Sequence, residues 1–228
     1  MPDRIALSWS SGKDSAWTLY KLQQNPRYEV AVLLTTLNAK FNHVTMHGVP
    51  AQLLVRQAAA IGLPLYQVPL PWPCPNGIYE NAMGEACSQL IRHFQVTHIA
   101  FGDLFLEEVR AYRERSLQGS GLSPVFPLWG SNTGSLAREM IDNGLRTQIS
   151  CIDTSRLPAQ LAGRKFDHNF LDSLPDGIDP CGENGEFHTF VSASPSFSKA
   201  IEVVANRIVE REGFAFADLV PVTPEPSN

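Results

Sequence analysis

Between residues 4 and 116 the chain repeats one pattern: a short apolar run, a polar turn, then an amphipathic stretch. Arg4–Trp9 reads as a strand, and a helix follows the Ser10–Ser15 turn, with Trp17, Tyr20 and Leu22 near helical spacing and Pro26 ending it. Val30–Leu37 is a near-continuous apolar and Thr run, the texture of a strand covered on both faces. Pro50 opens a helix over Ala51–Ile61 that Gly62 stops. Leu63–Leu70 is the next strand and Tyr79–Phe94 the next helix; Thr97–Phe101 is a strand ending at Gly102-Asp103, and Glu107–Ser116 a charged helix. This alternation predicts an α/β fold, a doubly wound, Rossmann-like parallel sheet with right-handed crossovers. Ligands on such a sheet sit beyond the carboxyl ends of the strands, where strand order reverses. The turn after the first strand is therefore the first place to look for a site.

After Gly119-Ser120-Gly121 the texture changes to a loop-rich stretch punctuated by Pro124, Pro127, Gly130 and Gly134. A helix over Leu136–Asp142, a strand over Leu145–Ile152, one or two short helices within Leu157–Leu174 and a strand over Phe187–Ser192 follow. Ala200–Arg211 reads as a strand, with a helix as the alternative. Residues 1–125 are expected to form the doubly wound domain and residues 126–220 a smaller α+β domain. Residues 221–228, with three prolines, are expected to be a mobile tail.

The 228 residues are 43% hydrophobic and 18% charged, which excludes a largely disordered or fibrous chain. The net charge of −5 makes nucleic acid an unlikely partner, tRNA included. Cys74, Cys87, Cys151 and Cys181 contain no CxxC pair, so neither a zinc ribbon nor a disulfide framework is expected. No segment reads as a secretory signal or approaches the roughly 20 apolar residues that cross a bilayer. The expectation is a soluble, reduced, cytoplasmic protein without a membrane partner; the oligomeric state is open, a homo-oligomer included.

A tight turn between a buried strand and a helix gathers backbone N–H groups at the positive helix end, which favours phosphate. Gly12 lets the backbone approach an anion; Ser10, Ser11 and Ser15 offer hydroxyls, Lys13 a point charge, and Asp14 a helix cap or a magnesium ligand. The turn is not a GxxxxGK[ST] P-loop, because Leu7 replaces the first Gly and Asp14 the metal-binding Ser/Thr. Taken alone, it reads equally well as a serine-rich helix start with no ligand.

Trp9-Ser10-Ser11-Gly12-Lys13-Asp14-Ser15 resembles the SGGxDS pyrophosphate loop of the N-type ATP pyrophosphatases, the adenine nucleotide alpha-hydrolase-like superfamily that includes asparagine synthetase and GMP synthetase. Ser11 stands where the second motif residue is usually Gly, and a serine is accommodated there with a negative φ. Met46-His47-Gly48-Val49-Pro50, Gly102-Asp103, Pro127-Leu128-Trp129-Gly130 and the run Cys181-Gly182-Glu183-Asn184-Gly185-Glu186-Phe187-His188-Thr189-Phe190-Val191 follow in order. Together they resemble the diphthine–ammonia ligase family over about Ile5 to Ile201.

The resemblance implies an AMP- and pyrophosphate-forming amide ligase that uses ATP and Mg²⁺. A carboxylate is adenylated and then amidated by ammonia; in the family's best-known reaction the acceptor is a modified histidine on elongation factor two. Ser10–Ser15 would hold pyrophosphate, His47 and Gly48 would lie on the nucleotide or substrate side, and Asp14 and Asp103 would approach magnesium. By sheet geometry Leu34 and Thr35 would wall the adenine, and Gly102 would approach the nucleotide. In the Gly182–His188 stretch Glu183 and Glu186 would meet the amine or a metal, Asn184 would orient substrate, and His188 would move a proton near neutral pH. With Lys13 and Asp14 these are the candidate catalytic residues. The competing reading of Gly182–His188 is a strand-joining Asn-Gly turn with solvated glutamates. Zinc at His43 and His47 is disfavoured, because Gly48 and Pro50 suggest a loop. Arg110, Arg113 and Arg115 with Tyr112 read either as a guanidinium wall or as a helix face paired with Glu107, Glu108 and Glu114. Two other readings share the fold: the same adenylation on a small-molecule or tRNA acceptor, and a non-catalytic ATP- or AMP-binding regulatory module.

Overall fold

The computed structural model describes residues 1–41, 43–44 and 48–222. Its first sheet comprises β1 (Asp3–Ser8), β2 (Tyr28–Asn38), β3 (His43–Val44), β4 (Leu65–Leu70), β5 (His98–Ala100) and β6 (Ser123–Val125). The order is β3-β2-β1-β5-β6, with β4 also on β2, and all pairs are parallel except β2–β3. β1 has β2 on one side and β5 on the other. Connections therefore leave β1 in opposite directions, and a crevice opens at its carboxyl end.

Helices α1 (Lys13–Gln23), α2 (Ala51–Ile61), α3 (Asn76–Phe94) and α4 (Glu107–Ser116) cover this sheet. Gly62 closes α2 at φ 78°, the left-handed conformation that ends helices without a Cβ penalty. Alternate β5 residues mark the two faces: Ala100 joins the core with Trp17 of α1 and Leu53 of α2, and Ile99 the core with Cys87 and Leu90 of α3.

The second sheet is antiparallel, order β8-β7-β10-β9, from β7 (Arg146–Asp153), β8 (Phe187–Ala193), β9 (Val203–Arg211) and β10 (Phe214–Pro221). Helix α5 (Thr133–Asp142) is capped by the Asn132 side chain and α6 (His168–Asp172) by Asp167. One apolar cluster runs from Ile5, Leu7 and Trp17 into Phe170, Phe187 and Phe190, so the two sheets share a core. The Ala200–Arg211 alternative resolves as strand β9. β10, β6 and β3 were not anticipated. Pro221, expected in the tail, is the last residue of β10, and the Val222 amide donates to the Glu202 carbonyl. Residues 223–228 lie outside the described residues. Among the described residues no helix is long and apolar enough to cross a membrane.

Candidate functional site

The Ser10–Ser15 turn lies at the crevice beside β1. The Trp9 amide donates to the Leu34 carbonyl at 2.7 Å, and the Thr35 hydroxyl donates to the Trp9 carbonyl at 2.6 Å. Leu34 and Thr35 are 4% and 2% exposed. Their side chains lie inside the fold, and the Thr35 hydroxyl braces the end of β1. Ser15 donates to the Gly12 carbonyl at 2.9 Å, and Ser10 stays half-buried beside it with the two hydroxyls 3.4 Å apart.

Ser11 departs from expectation. Its φ is 72°, the left-handed conformation that the motif's usual Gly would adopt freely. The serine hydroxyl is buried and hydrogen-bonds nothing in the protein. The turn keeps its shape because neighbours over-determine it: the Ser11 carbonyl accepts from the Val191 amide at 3.0 Å and from the Gln57 side chain at 3.1 Å. Gln57, fully buried, also donates to the Val191 carbonyl and accepts from the Trp9 indole. Ser11→Gly is therefore expected to raise stability by about 1 kcal/mol, through relief of backbone strain and of an unpaired buried hydroxyl. Denaturant unfolding measures this directly, and a destabilised variant would contradict the assigned conformation.

Gly12 cannot cap α1 with a side chain, and the cap comes from β8 instead: the Lys13 amide donates to the Thr189 hydroxyl at 3.0 Å. Lys13 is only 2% exposed. Its ammonium donates to both Asp14 carboxylate oxygens, at 2.9 and 2.8 Å, and lies 5.9 and 5.6 Å from the ring centres of Phe166 and Phe187. Burial works against that charge, but Asp14, Cys181 and Glu183 around it hold the pKa above its ordinary value. Burial likewise raises Asp14, although Lys13 opposes it.

Glycine is required at position 102 by close approach. A Cβ there would stand 3.0 Å from the Asp14 carbonyl carbon, so the segment just after β5 and the start of α1 meet backbone to backbone. Next along, burial raises the Asp103 carboxyl against the opposing pull of Arg113, 3.6 Å away, with Asp14 adding to the rise.

The Gly182–His188 stretch reaches the same place. Glu183 accepts from the Leu104 amide at 2.7 Å, which seats the loop against the end of the parallel sheet. Burial, with help from Asp14 and Asp103, pushes its carboxyl up to about 7 despite the Leu104 hydrogen bond. Glu186 is fully buried and accepts from Arg156 and the Asp179 amide at 3.2 Å and from the Asn184 side chain at 3.0 Å. Asp179 in turn accepts from the Cys181 and Glu183 amides. Glu186 and Asn184 thus shape the loop that presents Glu183. Gly182, at φ 67°, packs against the Phe187 carbonyl, where a Cβ would lie 2.8 Å away.

His188, half-buried, has its pKa lowered to about 4 by burial and by Lys13. It is a neutral imidazole near pH 7. Gly48 lies under the Phe216 ring and lines a cavity of about 200 Å³ with His43 and Trp72 that does not include the Ser10–Ser15 turn. His47 lies outside the described residues. Arg110 pairs with Glu114 and stacks on Phe126 and Trp129, as a paired helix face does.

Sequence reasoning missed Gln57, Thr189 and Asp179. Gln57 carried a signal: a glutamine within the apolar pattern of α2. Thr189 carried none, because its partner Lys13 is 176 positions away; the partners of Asp179 lie within seven residues, but nothing in the local pattern marked it as their acceptor.

The donor set fits a triphosphate: serine hydroxyls at a helix start, one of them an orphan, with a buried ammonium beneath. No group of three or more His, Cys, Asp or Glu side chains among the described residues converges to hold a metal ion. Asp14 and Asp103 fit the lesser role of a magnesium ion held mainly by phosphates and water.

Family models for the diphthamide synthase N-terminal domain and C-terminal domain match residues 3–124 and 132–219. The chain belongs to the diphthamide synthase family. Curated relatives include the Homo sapiens diphthine–ammonia ligase, 26% identical over 94% of this chain and 88% of that protein. The Bos taurus protein of the same name is 25% identical over the same shares, and the Danio rerio protein 28% identical over 70% of this chain and 68% of its own. Membership in the diphthamide synthase family places the chain among C–N ligases.

Proposed function

We propose that the protein is an ATP-dependent amide ligase that adenylates a carboxylate and amidates it with ammonia. The observation that carries this reading is the convergence at the carboxyl end of β1: the serine-lined turn, Lys13 and the Glu183 loop meet within one buried network. Residues 1–125 hold the nucleotide and residues 126–220 present the acceptor. Its relatives' name makes diphthine, carried on elongation factor two, the acceptor to test first.

The β- and γ-phosphates lie against Ser10–Ser15, where hydroxyls and the helix start meet the charge of the leaving pyrophosphate. An acceptor carboxylate oxygen attacks the α-phosphorus; the P–O bond to pyrophosphate breaks, leaving an acyl adenylate. Ammonia then attacks the acyl carbon, AMP leaves with the C–O electron pair, and nitrogen loses a proton to a base. Glu183, poised near 7, is the base that the site provides. Magnesium, held with the phosphates by Asp14 and Asp103, would neutralise part of the triphosphate charge.

The decisive assay is product identity: acceptor-dependent release of AMP and pyrophosphate is expected, and ADP with phosphate would overturn the proposal. The pH profile separates the bases. Turnover is expected to rise through about pH 7 as Glu183 ionises, a limb that Glu183→Gln removes; His188, near 4, cannot supply it. The same carboxyl affects folding with the opposite slope. Its folded pKa lies above the ordinary 4.5, so its contribution to stability is full below about 4.5 and is lost as pH rises through about 7.

A further inference from the structure

A second cavity lies on the opposite face of the parallel sheet from α1, between α3 and α4. It measures about 370 Å³, within the size range of small-molecule sites. Tyr79, Met83, Phe101 and Tyr112 supply ring faces and a thioether, and Arg113 and Arg115 bring two guanidinium groups to the same space. Arg113 lies 5.0 Å from the Phe101 ring centre and faces Asp103 at 3.6 Å. That last contact is an ion pair without a hydrogen bond: the Arg113 Nε and the Asp103 Oδ2 are both buried and hydrogen-bond nothing. A guanidinium held this loosely retains a donor for another anion.

We propose that this cavity binds a nucleoside monophosphate, its base stacked between the Tyr79 and Tyr112 rings and its phosphate on Arg113 and Arg115. Flat rings favour a flat π-system, and two cations on one wall favour an anionic group attached to it. The ligand would draw Arg113 from Asp103, leaving that carboxylate without its cation beside Asp14. If the proposed ligase reaction holds, its product AMP is such a ligand, and the cavity senses it.

Gly84 gives a clean test, because it is exposed at the cavity mouth and a Cβ added there meets nothing within 4 Å. Equilibrium dialysis with radiolabelled AMP is expected to show one equivalent fewer bound in Gly84→Trp than in wild type. Tyr79→Ala, checked for folding by its thermal melt, is expected to weaken the same equivalent at least tenfold and serves if Gly84→Trp does not fold. Inorganic phosphate alone should not displace AMP at equal concentration. AMP binding that neither variant alters, or full displacement by phosphate, would overturn the proposal. AMP lost with Gly84→Trp in a protein that releases no pyrophosphate would support the cavity while rejecting the ligase reading.

Discussion

Phe187→Ala is expected to lower stability by about 3–5 kcal/mol, the cost of emptying a filled aromatic site. Phe187 is 1% exposed and packs against Phe170 and Phe166, with ring centres 5.2 and 6.1 Å away. It belongs to the cluster that joins the two sheets, so little around it is free to collapse into the void. The ring also covers Lys13, whose ammonium lies 5.6 Å from its centre. Its loss would admit water to the Lys13–Asp14 pair and weaken ATP binding as well as the fold. Phe187→Leu should recover most of the stability and little of the cation contact. Urea unfolding reads the first effect and nucleotide titration the second; a loss below about 1 kcal/mol in Phe187→Ala would mean that the core is not packed as described.

Gly102→Ala is expected to depress ATP-dependent pyrophosphate release about 100-fold, with a smaller effect on stability of about 1–3 kcal/mol. The added methyl would stand 3.0 Å from the Asp14 carbonyl carbon and 3.1 Å from its oxygen. Backbone cannot swing aside as a side chain would, so the start of α1 must shift relative to β5. A shift of a few tenths of an ångström would carry Lys13, Asp14 and the serine hydroxyls together away from the place proposed for the phosphates. Gly77→Ala is the control: it adds a methyl within α3 where nothing lies within 4 Å and should leave turnover unchanged. Wild-type turnover in Gly102→Ala would dismiss the close approach as a functional feature.

Glu183 and Glu186 illustrate how far the site could be read before folding. Both sit in one short stretch of similar residues, and local chemistry gives them the same prospects. The structure separates them by solvent and partners. Glu183 meets the Leu104 amide across the crevice and faces Asp14 and Lys13, whereas Glu186 is sealed inside with Arg156, Asp179 and Asn184. A spacing of three residues along a turn does not say which side chain will face inward. Leu34 and Thr35 show the same limit: their place in the second strand was legible, but β2 runs on to Asn38 and buries both beside the end of β1.

The strands missed in the sequence share a reason of their own. β10 is held by its register with β9 through the Glu212-Gly213 turn, both at positive φ, and a two-residue hairpin of that kind needs a partner strand already recognised. β6 is only three residues long and carries Pro124, a weak strand signal that the β5 edge overrides.

Periodicity and punctuation along the chain were enough for the α/β alternation, the limits of α2 and α4, and the placing of the serine-lined turn after the first strand. These follow from interactions over a few residues: apolar spacing, helix starts and stops, and glycine at a bend. Tertiary structure alone decided that β8 caps α1 through Thr189, that Gln57 ties Trp9, Ser11 and Val191 together, and that Glu183 rather than Glu186 faces the crevice. Thr189 and Lys13 are 176 positions apart. Contacts at such separation depend on how two sheets pack around one core, which no local pattern of residues specifies.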